Sequence, residues 1–140
     1  MPATSATGSL SCHDVPAEPA ELRTLRHRLL AWALDAGVPG DCAQDIVLAG
    51  YEALANVADH AYRDGETGRV DLDAARHANH VEVVITDHGR WRPSGEDGTP
   101  VPLRGRGLLL LRASADHTDV RTGEHGTVVT LGWDLPSSRA

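Results

Sequence analysis

Glu52, Asn56 and His60 recur every fourth residue in "YEALANVADHAY", residues 51–62. On a helix that spacing puts a carboxylate, an amide and an imidazole on one stripe, one above another. Such a stripe has two readings: a solvated face, common for charged and amide residues at i, i+4, or one wall of a site. Two glycine clusters further along favour a site. "DHG", residues 87–89, ends a strand pattern, and "RGRGL", residues 104–108, opens a helix pattern after a loop. An aspartate at a strand end, glycines that let backbone approach closely, and a helix N-terminus with free N–H groups suit a purine and its phosphates. A simple turn explains "GRG" taken alone. The three blocks in this order are more specific.

The elements that must position these residues follow from periodicity and turn chemistry. Residues 1–8 read as a disordered start, and "SLSCHDV" as a short edge strand. From Glu18 the pattern is helical, with Pro19 suited to the first turn. Leu22, Leu25, Leu29, Trp32, Ala33 and Ala36 then recur at three-to-four spacing until Gly37 and Pro39 stop them. A second helix runs through "GDCAQDIVLAGYEALANVADHAY", with Asp41 as expected N-cap and Gln44 three residues later. Ile46, Val47, Gly50, Leu54, Val57, Ala58 and Ala61 form its apolar face, and the stripe of Glu52, Asn56, Asp59, His60 and Arg63 is expected to face outward. "RVDLDAA" and "HVEVVITDHG" alternate as the strands of a hairpin joined by "RHANH". Residues 90–103 form a long loop of the kind that is often a functional lid. "GRGLLLLRASA" is a short helix, and "HTDVRT" and "GTVVTLGWDL" are strands joined around "GEH". Residues 136–140 read as a disordered tail. Paired helices with hairpin-linked strands predict an α+β fold, a two-layer sandwich with helices on one face of a mostly antiparallel, mixed sheet.

Composition excludes whole classes. At 140 residues the chain fits one domain, placed at residues 9–135. No apolar run approaches the roughly 18 residues a spanning helix needs, and the start lacks a basic then apolar leader, so no membrane association and a cytoplasmic location are expected. Cys12 and Cys42 are then reduced, packing thiols. A net charge of −7 argues against nucleic-acid binding and for protein or small-molecule partners. All 13 basic residues are arginine. Without lysine the chain cannot carry a P-loop, the strand lysine of eukaryotic-type kinases or a Schiff base.

The order E-x3-N-x3-H on a helix, D-x-G, a lid, G-x-G-L and a late "GT" before a strand resembles the Bergerat-fold ATP-binding domain of the GHKL superfamily. The short chain with "NVADHAY" is most similar to the anti-sigma-factor serine kinases of bacterial partner switching. The resemblance implies ATP and Mg²⁺ as cofactors, with Asn56 as the metal-holding asparagine, suited as a neutral oxygen ligand to a hard cation. It implies Glu52 as the general base, His60 near the phosphates or lid, and Asp87 as acceptor for the adenine amino group, with Gly89 admitting the ring. Arg104, Gly105, Arg106, Gly107 and Leu108 match the lid end and phosphate-binding helix, where two arginines supply positive charge. Thr127 matches the late threonine beside adenine. The implied activity is ATP-dependent serine/threonine phosphorylation of an anti-anti-sigma (STAS-type) protein, together with sequestration of a sigma factor by a homodimer.

In "DHGRW" Trp91 stands where the family often has a second glycine, and the lid is short. Those departures leave open an alternative, a nucleotide-binding regulatory module that binds a protein partner without phosphorylating it. A histidine kinase would need a dimerisation helix pair, for which the roughly 17 residues before the first helix leave no room. His77 and His80 in "HANH" have a metal-pair spacing but no carboxylate or cysteine beside them, and His13, His27, His88, His117 and His125 form no evident cluster. Trp32 and Trp133 read as core.

Overall fold

The computed structural model describes residues 8–61, 68–88, 115–123 and 126–135, with backbone alone for 57–61 and 122–123. Strand β1 (Leu10–Pro16) leads into helices α1 (Pro19–Asp35) and α2 (Gly40–Ala61). Strands β2 (Arg69–His77), β3 (His80–Asp87), β4 (His117–Gly123) and β5 (Gly126–Asp134) follow. The sheet order is β1-β2-β3-β5-β4, and each described pairing is antiparallel. The architecture is the expected α+β sandwich. The expected loop at 90–103, residues 105–114 of the expected short helix, and residues 1–7 and 136–140 lie outside the described residues.

α1 begins as its sequence requires. Glu18 is extended and Pro19 occupies the first helical turn, where a missing N–H costs nothing. Leu22, Leu25, Leu29, Trp32 and Ala33 form its buried face. Gly37 ends it at φ +83°, a left-handed conformation that suits glycine. Arg76 Nη1 donates to the Ala36 carbonyl at 2.7 Å, tying this helix end to the β2–β3 hairpin.

Two expectations for α2 need correction. The helix starts at Gly40, and the Ala43 N–H donates to Pro39 O at 2.8 Å, so Pro39 holds the cap position and Asp41 lies in the first turn. There its carboxylate complements the positive end of the helix dipole rather than capping it. The polar stripe, moreover, does not face outward: Asn56 is buried and Glu52 half-buried. α2 packs against α1 and also against β3 and β5, so its buried arc widens beyond one face to take in Ala43, Ile46, Ala49, Ala53 and Leu54. Gly50 allows α1 close, since a Cβ there would stand 2.7 Å from Leu29 Cδ2.

Strand alternation builds the other half of the core. Val70, Leu72 and Ala74 of β2, Val81, Val83 and Ile85 of β3, and Val129, Leu131 and Trp133 of β5 point toward the helices. The β2–β3 turn is tighter than "RHANH" suggested. His77 pairs with His80, leaving only Ala78 and Asn79 between the strands. Ala78 adopts φ 55°, and its carbonyl accepts from Arg76 Nε at 2.9 Å. The Leu135 N–H donates to Asn79 O at 2.6 Å, so the end of β5 braces the same turn.

Candidate functional site

Asp87 is the last residue of β3 and continues the inward register of Val81, Val83 and Ile85, so alternation carries a carboxylate into the helix-facing layer. It is 1% exposed. On the neighbouring strand Thr127 shares the inward face with Val129 and is fully buried. Its backbone N–H donates to Asp87 Oδ2 at 3.2 Å. Its hydroxyl oxygen is buried without a hydrogen-bond partner. Between them sits Gly126 at φ +130°, where a Cβ would lie 2.0 Å from the Asp87 carbonyl oxygen and 3.0 Å from Asp87 Oδ1. Only glycine permits that approach. Gly126 was part of the "GT" signal but was not read as a site residue; the close approach depends on the β3–β5 register, which the sequence does not print.

Asn56 lies on α2, which packs on β3 and β5, the two strands that hold Asp87 and Thr127. Its Nδ2 donates to the Glu52 carbonyl at 3.0 Å, one turn back. That bond fixes the amide and leaves Oδ1 as the atom able to ligate a cation. Among the described residues the buried polar side chains are Asn56, Asp87 and Thr127. All three belong to the set picked from sequence. His60 is described only in its backbone, and Gly89, Arg104, Gly105, Arg106, Gly107 and Leu108 lie outside the described residues.

The rim beside Asp87 is held by two contacts to Asp71. His88 Nε2 stands 2.8 Å from Asp71 Oδ2, and the Asp14 backbone N–H donates to Asp71 Oδ1 at 2.8 Å. Partial burial pushes the Asp71 carboxyl up, but the Asp14 amide and His88 outweigh it and hold the group below its ordinary value.

A deeply placed carboxylate, an unpartnered hydroxyl beside it and an amide oxygen on the adjoining helix fit a ligand that offers an amine donor and carries a cation–phosphate group. This donor set suits an adenine nucleotide with Mg²⁺: the carboxylate and hydroxyl can pair with the polar edge of the base, and a neutral oxygen suits a hard cation whose remaining ligands are phosphate and water.

Comparison with known proteins identifies the family and the fold. The chain is 32% identical over 129 residues to the serine-protein kinase RsbW of Oceanobacillus iheyensis, covering 84% of this chain and 81% of that protein. It is 26% identical over 128 residues to the serine-protein kinase RsbW of Listeria monocytogenes, covering 83% and 82%. The crystal structure of the RsbU and RsbW domains of Rv1364c from Mycobacterium tuberculosis superposes with a TM-score of 0.73 at 26% identity, over 92% of this chain. This chain spans a third of that larger one, 33%. The SiaB–SiaC complex from Pseudomonas aeruginosa shares the fold, with a TM-score of 0.69 at 14% identity over 92% of this chain and 91% of that one. The model of the histidine kinase-like ATPase domain matches residues 15–133. The chain belongs to the histidine kinase-like ATPase domain family.

Proposed function

We propose that this protein is an ATP-dependent serine/threonine protein kinase that phosphorylates a STAS-type anti-anti-sigma protein and, as a homodimer, sequesters a sigma factor. One observation carries the reading of the site. The buried polar side chains of the described residues are Asn56, Asp87 and Thr127, all placed in the layer between α2 and the sheet. The Thr127 hydroxyl among them is buried with no hydrogen-bond partner, a costly arrangement that the polar edge of a nucleotide base relieves.

In this reading Asp87 and Thr127 select adenine, Gly126 keeps their strands close, and Asn56 Oδ1 holds Mg²⁺. When bound, the cation neutralises charge on the transferring phosphoryl group. Glu52, one turn from Asn56, orients the acceptor hydroxyl of the partner. It takes the hydroxyl proton as the new oxygen–phosphorus bond forms and the bond to ADP breaks. Gly89 admits the adenine ring, and His60 with the segment Arg104, Gly105, Arg106, Gly107 and Leu108 completes the reading as the phosphate-facing part, with the two arginines in place of the missing lysine. The serine-protein kinase relatives support protein serine or threonine as acceptor. No described helix is long and apolar enough to cross a membrane.

The test is phosphate transfer from γ-labelled ATP with Mg²⁺ to STAS-domain proteins of the same organism. The native chain is expected to label a serine or threonine of one partner. Glu52→Ala should lower transfer at least about a hundredfold while ATP still binds, and Asn56→Ala should lose both transfer and the Mg²⁺-dependent part of binding. Undiminished transfer by Glu52→Ala would remove Glu52 from the role of base. ATP binding without label on any partner would leave a nucleotide-dependent binding module in place of a kinase.

A further inference from the structure

We propose that His80, His117 and Asp134 form a binding site for a first-row transition-metal dication, with Zn²⁺ as the fitting probe, on the sheet face opposite the helices. The three residues are far apart in sequence and are brought together by strand register. His80 pairs with Asp134 across β3 and β5, and His117 pairs with Gly132 across β4 and β5. Val81, Leu131 and Trp133 turn toward the helices, so alternation turns His80, Gly132 and Asp134 to the open face.

The ligand atoms converge. His80 Nδ1 is 3.2 Å from Asp134 Oδ1, and His117 Nε2 is 3.0 Å from Asp134 Oδ2. One nitrogen from each imidazole and a carboxylate oxygen all lie within 4.8 Å of one another. Ligands at about 2.0–2.1 Å around a tetrahedral cation stand roughly 3.4 Å apart, and each imidazole nitrogen is near that distance from one of the two oxygens of the Asp134 carboxylate. The ring centroids are 5.9 Å apart with planes tilted at 53°, and neither ring stacks flat on the other.

Gly132 makes the convergence feasible. A Cβ at that position would lie 3.0 Å from His80 Cε1 and 3.3 Å from His117 Cδ2, wedging into the space the two rings occupy. The carboxylate's strand end is braced as well: the Asp134 N–H donates to Asp116 Oδ2 at 2.7 Å, and the next residue, Leu135, holds the Asn79 turn. Two imidazoles and one carboxylate on rigid strands are a donor set for zinc, nickel or copper rather than for Mg²⁺ or Ca²⁺, which prefer oxygen alone. Three protein ligands on an exposed surface leave coordination positions for water. The site is separate from the nucleotide layer. It lies on the other face and at the other end of β3, about 24 Å along the strand from Asp87 at roughly 3.4 Å per residue.

The test uses the full chain without a polyhistidine tag and titrates Zn²⁺ against a chromophoric chelator near neutral pH. One equivalent is expected to bind. His80→Ala, His117→Ala and Asp134→Ala should each weaken the affinity at least tenfold, whereas His27→Ala, on the exposed side of α1, should leave it unchanged. A second measurement needs no substitution: in the native chain the His80 and His117 ring resonances should shift together and saturate at one equivalent of Zn²⁺. Absence of binding, an affinity indifferent to all three substitutions, or ring resonances that do not respond would overturn the site.

Discussion

At Thr127 the backbone N–H is engaged by Asp87, while the hydroxyl a few atoms away is buried with no partner. An unpartnered buried hydroxyl costs about 1–3 kcal/mol, and a valine of the same shape removes that cost without touching the backbone bond. Thr127→Val is therefore expected to leave the ligand-free chain as stable or slightly more so, by thermal melting, and to weaken ATP binding about tenfold, by calorimetry. A nucleotide affinity unchanged in Thr127→Val would mean that the hydroxyl does not face the ligand. Much of this residue-scale picture was readable from sequence, because Asp87 closes an alternating strand and Asn56 follows Glu52 by one helical turn. What was not readable was depth. Helical spacing orders side chains around an axis but does not say how many neighbours the helix has, so Asn56 was expected outside and is found buried. The His80, His117 and Asp134 group escaped for a related reason: its spacings are set by two strand registers, neither of which has a local signal.

Among the elements, β1 is an edge strand, paired with β2 alone and further tied to it by side chains. It bulges between Cys12 and Val15, with Asp14 at φ 61°. His13 Nε2 lies 2.8 Å and 3.0 Å from the two Asp73 oxygens, and Ser11 Oγ donates to Asp73 Oδ1 at 2.9 Å. The hydrogen bond and charge of Asp73 raise the His13 pKa above its ordinary value of about 6.5. A raised folded value means that this anchoring is complete below about pH 6.5 and fades as pH climbs through the higher folded pKa. Amide protection of residues 10–16, measured by NMR, should accordingly fall from pH 6 toward pH 8, and in Asp73→Asn that pH dependence should vanish as His13 returns to its ordinary titration. A native His13 that titrates no higher than a free imidazole would contradict the anchor. Element identity was legible throughout the described chain, since helical and alternating apolar patterns differ in period. Boundaries were less so: Asp41 looks like a cap in sequence, but Gly40 already turns helical after Pro39.

For the molecule as a whole, one apolar layer joins both described helices to the sheet, and the residues proposed to hold the nucleotide sit at its edge. Leu131 is fully buried on β5. Leu131→Ala should destabilise the fold by about 2–5 kcal/mol in urea, with ATP binding and far-ultraviolet signal lost in one transition. Two separate transitions would mean that pocket and core unfold independently. The strand order has a further consequence, for synthesis. β5 is the last described strand to be made, yet its place is between β3 and β4. On the ribosome the earlier strands must therefore wait with a gap in the sheet until residues 126–134 emerge. The same segment brings Gly126 and Thr127, so completion of the described sheet and completion of the proposed adenine pocket are a single event, and in that reading a nascent chain has no ATP site to occupy before its core is finished.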